Sequence, residues 1–162
     1  VSGRAAVVFL SPGREPPHMT KRILVAIDGS EEAADALQFA AEEWPDAALT
    51  ALHVINPADS TTGAEGGFPG AIDQWYDSAN ERGERVLADV TAEIDRDVDT
   101  RLEVGRPTTT ILDVANGDAD DAEPFDHVVL ASRGRTGLSR VVLGSVAEGV
   151  VRRATMPVTV VR

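Results

Sequence analysis

The chain has 162 residues, enough for one domain with a real core, and carries a formal net charge of −12 from 27 acids and 15 bases. So negative a chain is a poor partner for nucleic acid or for an anionic membrane. It has no cysteine, which removes disulfides, thiol chemistry and cysteine-based metal sites and fits a cytoplasmic protein.

Residues 1–18 stand apart. Pro12, Gly13, Pro16 and Pro17 interrupt them, and the apolar run at 5–10 is too short to cross a membrane. A signal peptide would need a cationic start and a small-residue cleavage site, which this stretch lacks. It reads as a poorly ordered N-terminal extension rather than an extra strand, and Met19 opens the domain, 19–162. Removing the extension is expected to leave the domain intact.

Residues 23–27 are a short apolar run, as in a strand buried on both faces. Asp28-Gly29-Ser30 makes a turn, with Ser30 as N-cap and Glu31 and Glu32 in the first helical turn, where the helix dipole favours acids. Ala33, Ala34, Leu37, Ala40 and Ala41 form a helical stripe that stops before Pro45. Residues 48–55 are a second strand. Residues 56–70 are rich in glycine and proline and show no periodicity, so they read as a long loop.

A long helix is expected from 71 to about 97, with Ile72, Trp75, Tyr76, Ala79, Val86, Val90 and Ile94 inward and Gly83 marking a bend. Residues 102–104 lie in a third strand. Pro107 suits a helix start, and Ile111, Leu112 and Ala115 form that helix's stripe. Residues 118–123 are an acidic, solvated loop. Residues 125–131 are the fourth strand, 145–153 a short helix and 158–161 the fifth strand. Strands alternating with helices imply an α/β fold, an open parallel sheet with helices on both faces.

The stretch between the fourth strand and the last helix carries the chemistry. It holds Gly134, Gly137 and Gly144, together with Arg133, Arg135 and Arg140, and no acid occurs before Glu148. Glycines let a backbone approach an anion closely. A helix N-terminus adds unpaired N–H groups and partial positive charge, and arginine supplies planar donors suited to phosphate. A cationic loop on an acidic protein points to a small anionic ligand. Lys21 is the only lysine; an acidic chain this poor in lysine reads as one adapted to high salt, where self-repulsion is screened within about 3 Å at 1 M.

This stretch resembles the universal stress proteins, whose ATP-binding members carry Gly, two residues, Gly, nine residues, Gly, then Ser or Thr. Gly134 followed by nine residues and Gly144-Ser145 matches the second half; Ala131 stands where the first glycine would be. The resemblance extends to residues 21–30, to Leu52-His53-Val54, to Val104-Gly105-Arg106-Pro107 and to Met156-Pro157 with the strand after it. It implies a Rossmann-like sheet of five parallel strands in the order 3-2-1-4-5. Ligands in such sheets bind outside the carboxyl ends of the strands where the order reverses, which puts Asp28 and Ala131 at one crevice.

By the same resemblance the nucleotide site comprises Ala26, Asp28, Val54, Leu130, Ala131, Gly134, Arg135, Gly144, Ser145 and Val146. Val54 would contact adenine. Asp28 would meet a ribose hydroxyl or Mg²⁺ held by the phosphates, with no metal bound by the protein alone. Gly134 and Gly144 would offer backbone N–H groups to phosphate, and Ser145 its hydroxyl. Asp28 also reads simply as a turn residue. The implied protein is a cytoplasmic, ATP- and Mg²⁺-binding regulator of the stress response that dimerises through its last strand.

Other functions fit less well. His53 and His127 sit in apolar runs and read as satisfied structural histidines. No Walker lysine or placed general base is found, so turnover would be slow hydrolysis at most. The motifs of an adenylating ligase are missing, as are the acidic pair and late lysine of a phosphoacceptor domain. The main alternative is a module of the same fold that binds no nucleotide and acts through protein contacts alone.

Overall fold

The computed structural model describes residues 6–9, 20–62, 69–119, 122–133 and 143–162. The elements are β1 (Ala6–Phe9), β2 (Arg22–Ile27), α1 (Glu31–Glu43), β3 (Ala48–Ile55), a 3-10 turn (Pro57–Thr62), α2 (Ala71–Ala92), β4 (Asp99–Val104), α3 (Pro107–Asn116), β5 (His127–Ala131), α4 (Ser145–Arg153) and β6 (Val158–Val161). Five strands are parallel and lie in the order β4-β3-β2-β5-β6. Counted without β1 this is the expected 3-2-1-4-5.

The strands are apolar runs because both faces of the sheet are covered. Ile23, Leu24, Val25, Val128 and Val129 are fully buried. On one face Val25, Ile27, Leu49 and Val129 pack with Ala36, Leu37 and Ala40 of α1 and Leu87 and Val90 of α2. On the other, Leu24, Leu52, Leu130 and Val160 pack with Ile111 and Leu112 of α3 and Ala147 and Val150 of α4. Each such side chain contributes about 1.5–3 kcal/mol by leaving water.

Four details depart from the sequence reading. The long helix ends at Ala92, where the Thr91 hydroxyl donates to the carbonyls of Leu87 and Ala88. Ile72 faces solvent, and the buried stripe of α2 is Ala79, Gly83, Leu87 and Val90. Gly83 marks a close approach: a Cβ there would lie 2.6 Å from Leu102 Cδ1 and 3.1 Å from His53 Cδ2. The loop at 56–70 opens with the 3-10 turn, started by Pro57 and held by the Asn56 side chain, which accepts the Ala58 N–H at 3.1 Å.

A fifth departure concerns the sheet edge. The reading of 1–18 as poorly ordered does not hold for residues 6–9, which form β1 and pair antiparallel with β6 from Ala6↔Val161 to Phe9↔Val158. Among the described residues the sheet therefore has six strands, and β6 is not at its edge. The physical reason is that β6 is uncharged and, apart from Thr159, apolar, and an uncovered strand of that kind leaves a row of backbone groups to be paired.

Candidate functional site

β2 and β5 are neighbours, but the chain leaves them in opposite directions, through α1 toward β3 and through α4 toward β6. A crevice opens at such a reversal, because the two connecting loops diverge. Here it has a volume of about 240 Å³ and lies at the carboxyl ends of β2, β3 and β5.

Its apolar wall comes from Ala26, Leu52, Val54, Ile111 and Leu130. Its polar rim comes from Asp28, Asn56, Asp59, Ser132, Arg133 and Ser145. The structure thus brings together Ala26, Asp28, Val54, Leu130, Ala131, Gly144, Ser145 and Val146. Gly134 and Arg135 lie outside the described residues.

Asp28 is placed by the end of β2 and the turn that follows. Its Oδ1 accepts the Ser30 N–H at 3.0 Å and the Ser30 hydroxyl at 2.5 Å. Ser30 Oγ in turn accepts the Ala33 N–H at 3.2 Å and caps α1. Gly29 makes this bend with φ of 85°, a value L side chains rarely adopt. Asp28 therefore fills the turn role and also lines the crevice. His53 steadies the same strand end: its Nδ1–H donates to the Ile27 carbonyl at 2.7 Å.

Gly144 does not play the part expected of it. Its N–H donates to the Ser132 carbonyl at 2.8 Å, and the Ser132 N–H donates to the Val161 carbonyl at 2.8 Å. That amide is committed to holding α4 against β5 and β6. Gly144 is the N-cap of α4, with φ −61° and ψ 157°, and no side chain among the described residues caps the helix. The amides of Ser145, Val146 and Ala147 precede the first i→i−4 bond, that of Glu148 to Gly144, so they are the donors an anion would meet. Arg133 adds a cation to the same rim.

Asn56, Asp59, Pro107, Ile111, Ser132 and Arg133 line the crevice but were not among the predicted site residues. All but Ile111, which lies one turn into α3, follow a parallel strand or begin the element after it. The rule that places Asp28, applied to every parallel strand, would have found those five.

His127 lies elsewhere, at the start of β5 and 3% exposed. Its Nε2 meets the Thr159 hydroxyl at 2.7 Å and its ring lies 4.8 Å from Trp44, while Nδ1 has no partner among the described residues. Burial, aided by the charge of Lys21, lowers its pKa from 6.5 to about 4. It is a structural histidine, only half satisfied. Among the described residues no group of three or more His, Asp or Glu could hold a metal ion, and no helix is long and apolar enough to cross a membrane.

The model of the Universal stress protein family matches residues 19–162. Universal stress protein YxiE of Bacillus subtilis is 32% identical over 153 residues, 89% of this chain and 100% of that one. A universal stress protein of Thermus aquaticus is 34% identical over 148 residues, again 89% and 100%. The mycobacterial relatives, 31% identical over 155 residues, are longer, and the chain spans 49% of their length. Among solved structures, universal stress protein UspA from Lactobacillus plantarum superposes with a TM-score of 0.62 at 27% identity, over 90% of this chain and 99% of that one. The hypothetical protein MJ0577 gives 0.71 at 25% identity, over 89% and 96%.

Proposed function

The chain belongs to the universal stress protein family, and on that premise we propose that its crevice binds ATP with Mg²⁺ and that the protein is a nucleotide-dependent, cytoplasmic regulator in the stress response. One observation carries this reading: the first turn of α4, which no described side chain caps, opens onto the same crevice as Asp28, Arg133 and the apolar wall of Ala26, Val54 and Leu130. The helix amides and Arg133 suit a phosphate chain. The wall suits a base, and Asp28 a ribose hydroxyl or the Mg²⁺ carried by the phosphates. Gly134 and Arg135 would extend the phosphate contacts. Nucleotide would then bias the loop between β5 and α4, which partners read.

Ala131 at the end of β5 favours a second reading, a module that binds no nucleotide, because alanine stands at the first glycine of the binding pattern. Calorimetry with ATP and Mg²⁺ separates the two. Saturable binding by the wild type, equal or tighter in Ala131→Gly, is the expected result. Binding gained only in Ala131→Gly would favour the module, and no binding in either would remove ATP from the account.

The acidic surface also supports working in high salt. Screening of self-repulsion should raise the melting temperature steadily across a KCl series to molar concentration. A flat series would reject the halophilic reading.

A further inference from the structure

The two edges of the parallel sheet are built differently. β4 carries Asp99, Arg101 and Glu103, and the Arg101–Glu103 ion pair closes at 2.6 Å. Charges along an edge strand discourage pairing with another chain. β6 carries none, and Val158, Thr159, Val160 and Val161 are each 2% exposed or less. Uncovered, it would present unpaired N–H and C=O groups on an uncharged apolar strand. A second copy of the same strand, antiparallel and related by a two-fold axis, is the self-complementary partner for such an edge.

β1 takes that place. All four residues of β6 face a residue of β1. Val7 remains 42% exposed, so at that position the contact is the backbone ladder more than side-chain burial. Phe9 lies opposite Val158, at the end of the sheet where β2 begins. From there the order β1-β6-β5-β2 leaves three strand spacings to cross, about 14 Å. In sequence, twelve residues, 10–21, separate β1 from β2, and a chain of that length reaches up to about 40 Å. Docking on the same chain is therefore unstrained. A short tether also holds its strand at an effective concentration on the order of millimolar, well above that of a second copy at micromolar protein.

We propose that β1 is a tethered edge strand that docks on β6 of its own chain and so holds the protein apart from a second copy, which would otherwise pair through β6.

The chain has no cysteine, so the double variant Val7→Cys/Val160→Cys reports on this contact alone. The two positions are directly opposite, a Cα separation of about 4.5–5.5 Å that a disulfide can span. Oxidation at micromolar protein should give an intrachain bond, seen as a monomer of altered mobility on a non-reducing gel. A linked dimer would place β1 on another copy's β6 and overturn the proposal; so would the absence of any bond. In the full chain, Val7→Pro/Val8→Pro removes two successive N–H groups, one of which points toward β6. Light scattering across a concentration series should then show a dimer at least tenfold tighter than in the wild type. Equal association in the two proteins would show that β1 is no barrier to a second copy.

Discussion

Gly144→Val is expected to weaken ATP binding more than tenfold, a loss above about 1.4 kcal/mol, while the fold persists. Gly144 has φ −61° and ψ 157°, a backbone conformation open to any L residue. Its N–H bond to Ser132 needs no glycine. A valine side chain would instead enter the space in front of the α4 amides, where phosphate has to approach. Circular dichroism and the melting curve should match the wild type, and calorimetry should show the loss. An unchanged affinity would put phosphate somewhere other than the start of α4. Asp28→Asn is the companion variant: it keeps an acceptor for Ser30, removes the charge, and should weaken Mg²⁺-ATP less than Gly144→Val does.

The second large effect is on stability toward acid, and it belongs to His127. The arrangement that leaves no N–H orphaned has Nε2–H donating to Thr159 and a bare lone pair at Nδ1. A proton added at Nδ1 would find no acceptor in a dry site near Lys21. The folded chain therefore takes it up only near pH 4, whereas the unfolded chain does so near the ordinary histidine value of about 6.5. A lowered folded-state pKa means that the stabilisation is present above about pH 6.5 and is lost as pH falls toward 4. The loss amounts to about 3 kcal/mol at the acid end. Urea unfolding of the wild type and His127→Gln from pH 7 to 4 checks this. The wild type should lose that much more than the variant over the range, since carboxylate effects are common to both. Parallel curves would show that His127 does not carry the acid sensitivity.

Much of the fold was legible because burial on both sheet faces forces apolar runs, and 23–27, 48–55 and 158–161 have few other readings. Ser30 and Pro107 gave helix starts through local chemistry: a hydroxyl that caps, and a ring that needs no N–H. The crevice was legible where strand order alone decides, at Asp28 and Ala131. What escaped depends on partners distant in sequence. The four residues of β1 cannot announce which edge will accept them. The Gly144 N–H reads as a free donor until the Ser132 carbonyl is found beside it. Gly83 reads as a weak point in a helix until Leu102 and His53 are seen packed against it. His127 was recognised as structural, but no local pattern says that only one of its nitrogens finds a partner.

The pair of bonds through Ser132, to Gly144 on one side and Val161 on the other, also bears on how this protein could change. The segment between Ser132 and Gly144 is closed at its base by one backbone bond. Lengthening a segment closed in that way costs only chain entropy, about 0.6 kcal/mol for each doubling, and does not ask α4 or β6 to move. The rim of the crevice can thus be rewritten in length and sequence while the frame that presents it stays fixed. A graft between residues 133 and 143 would be a natural place to give this scaffold a new ligand.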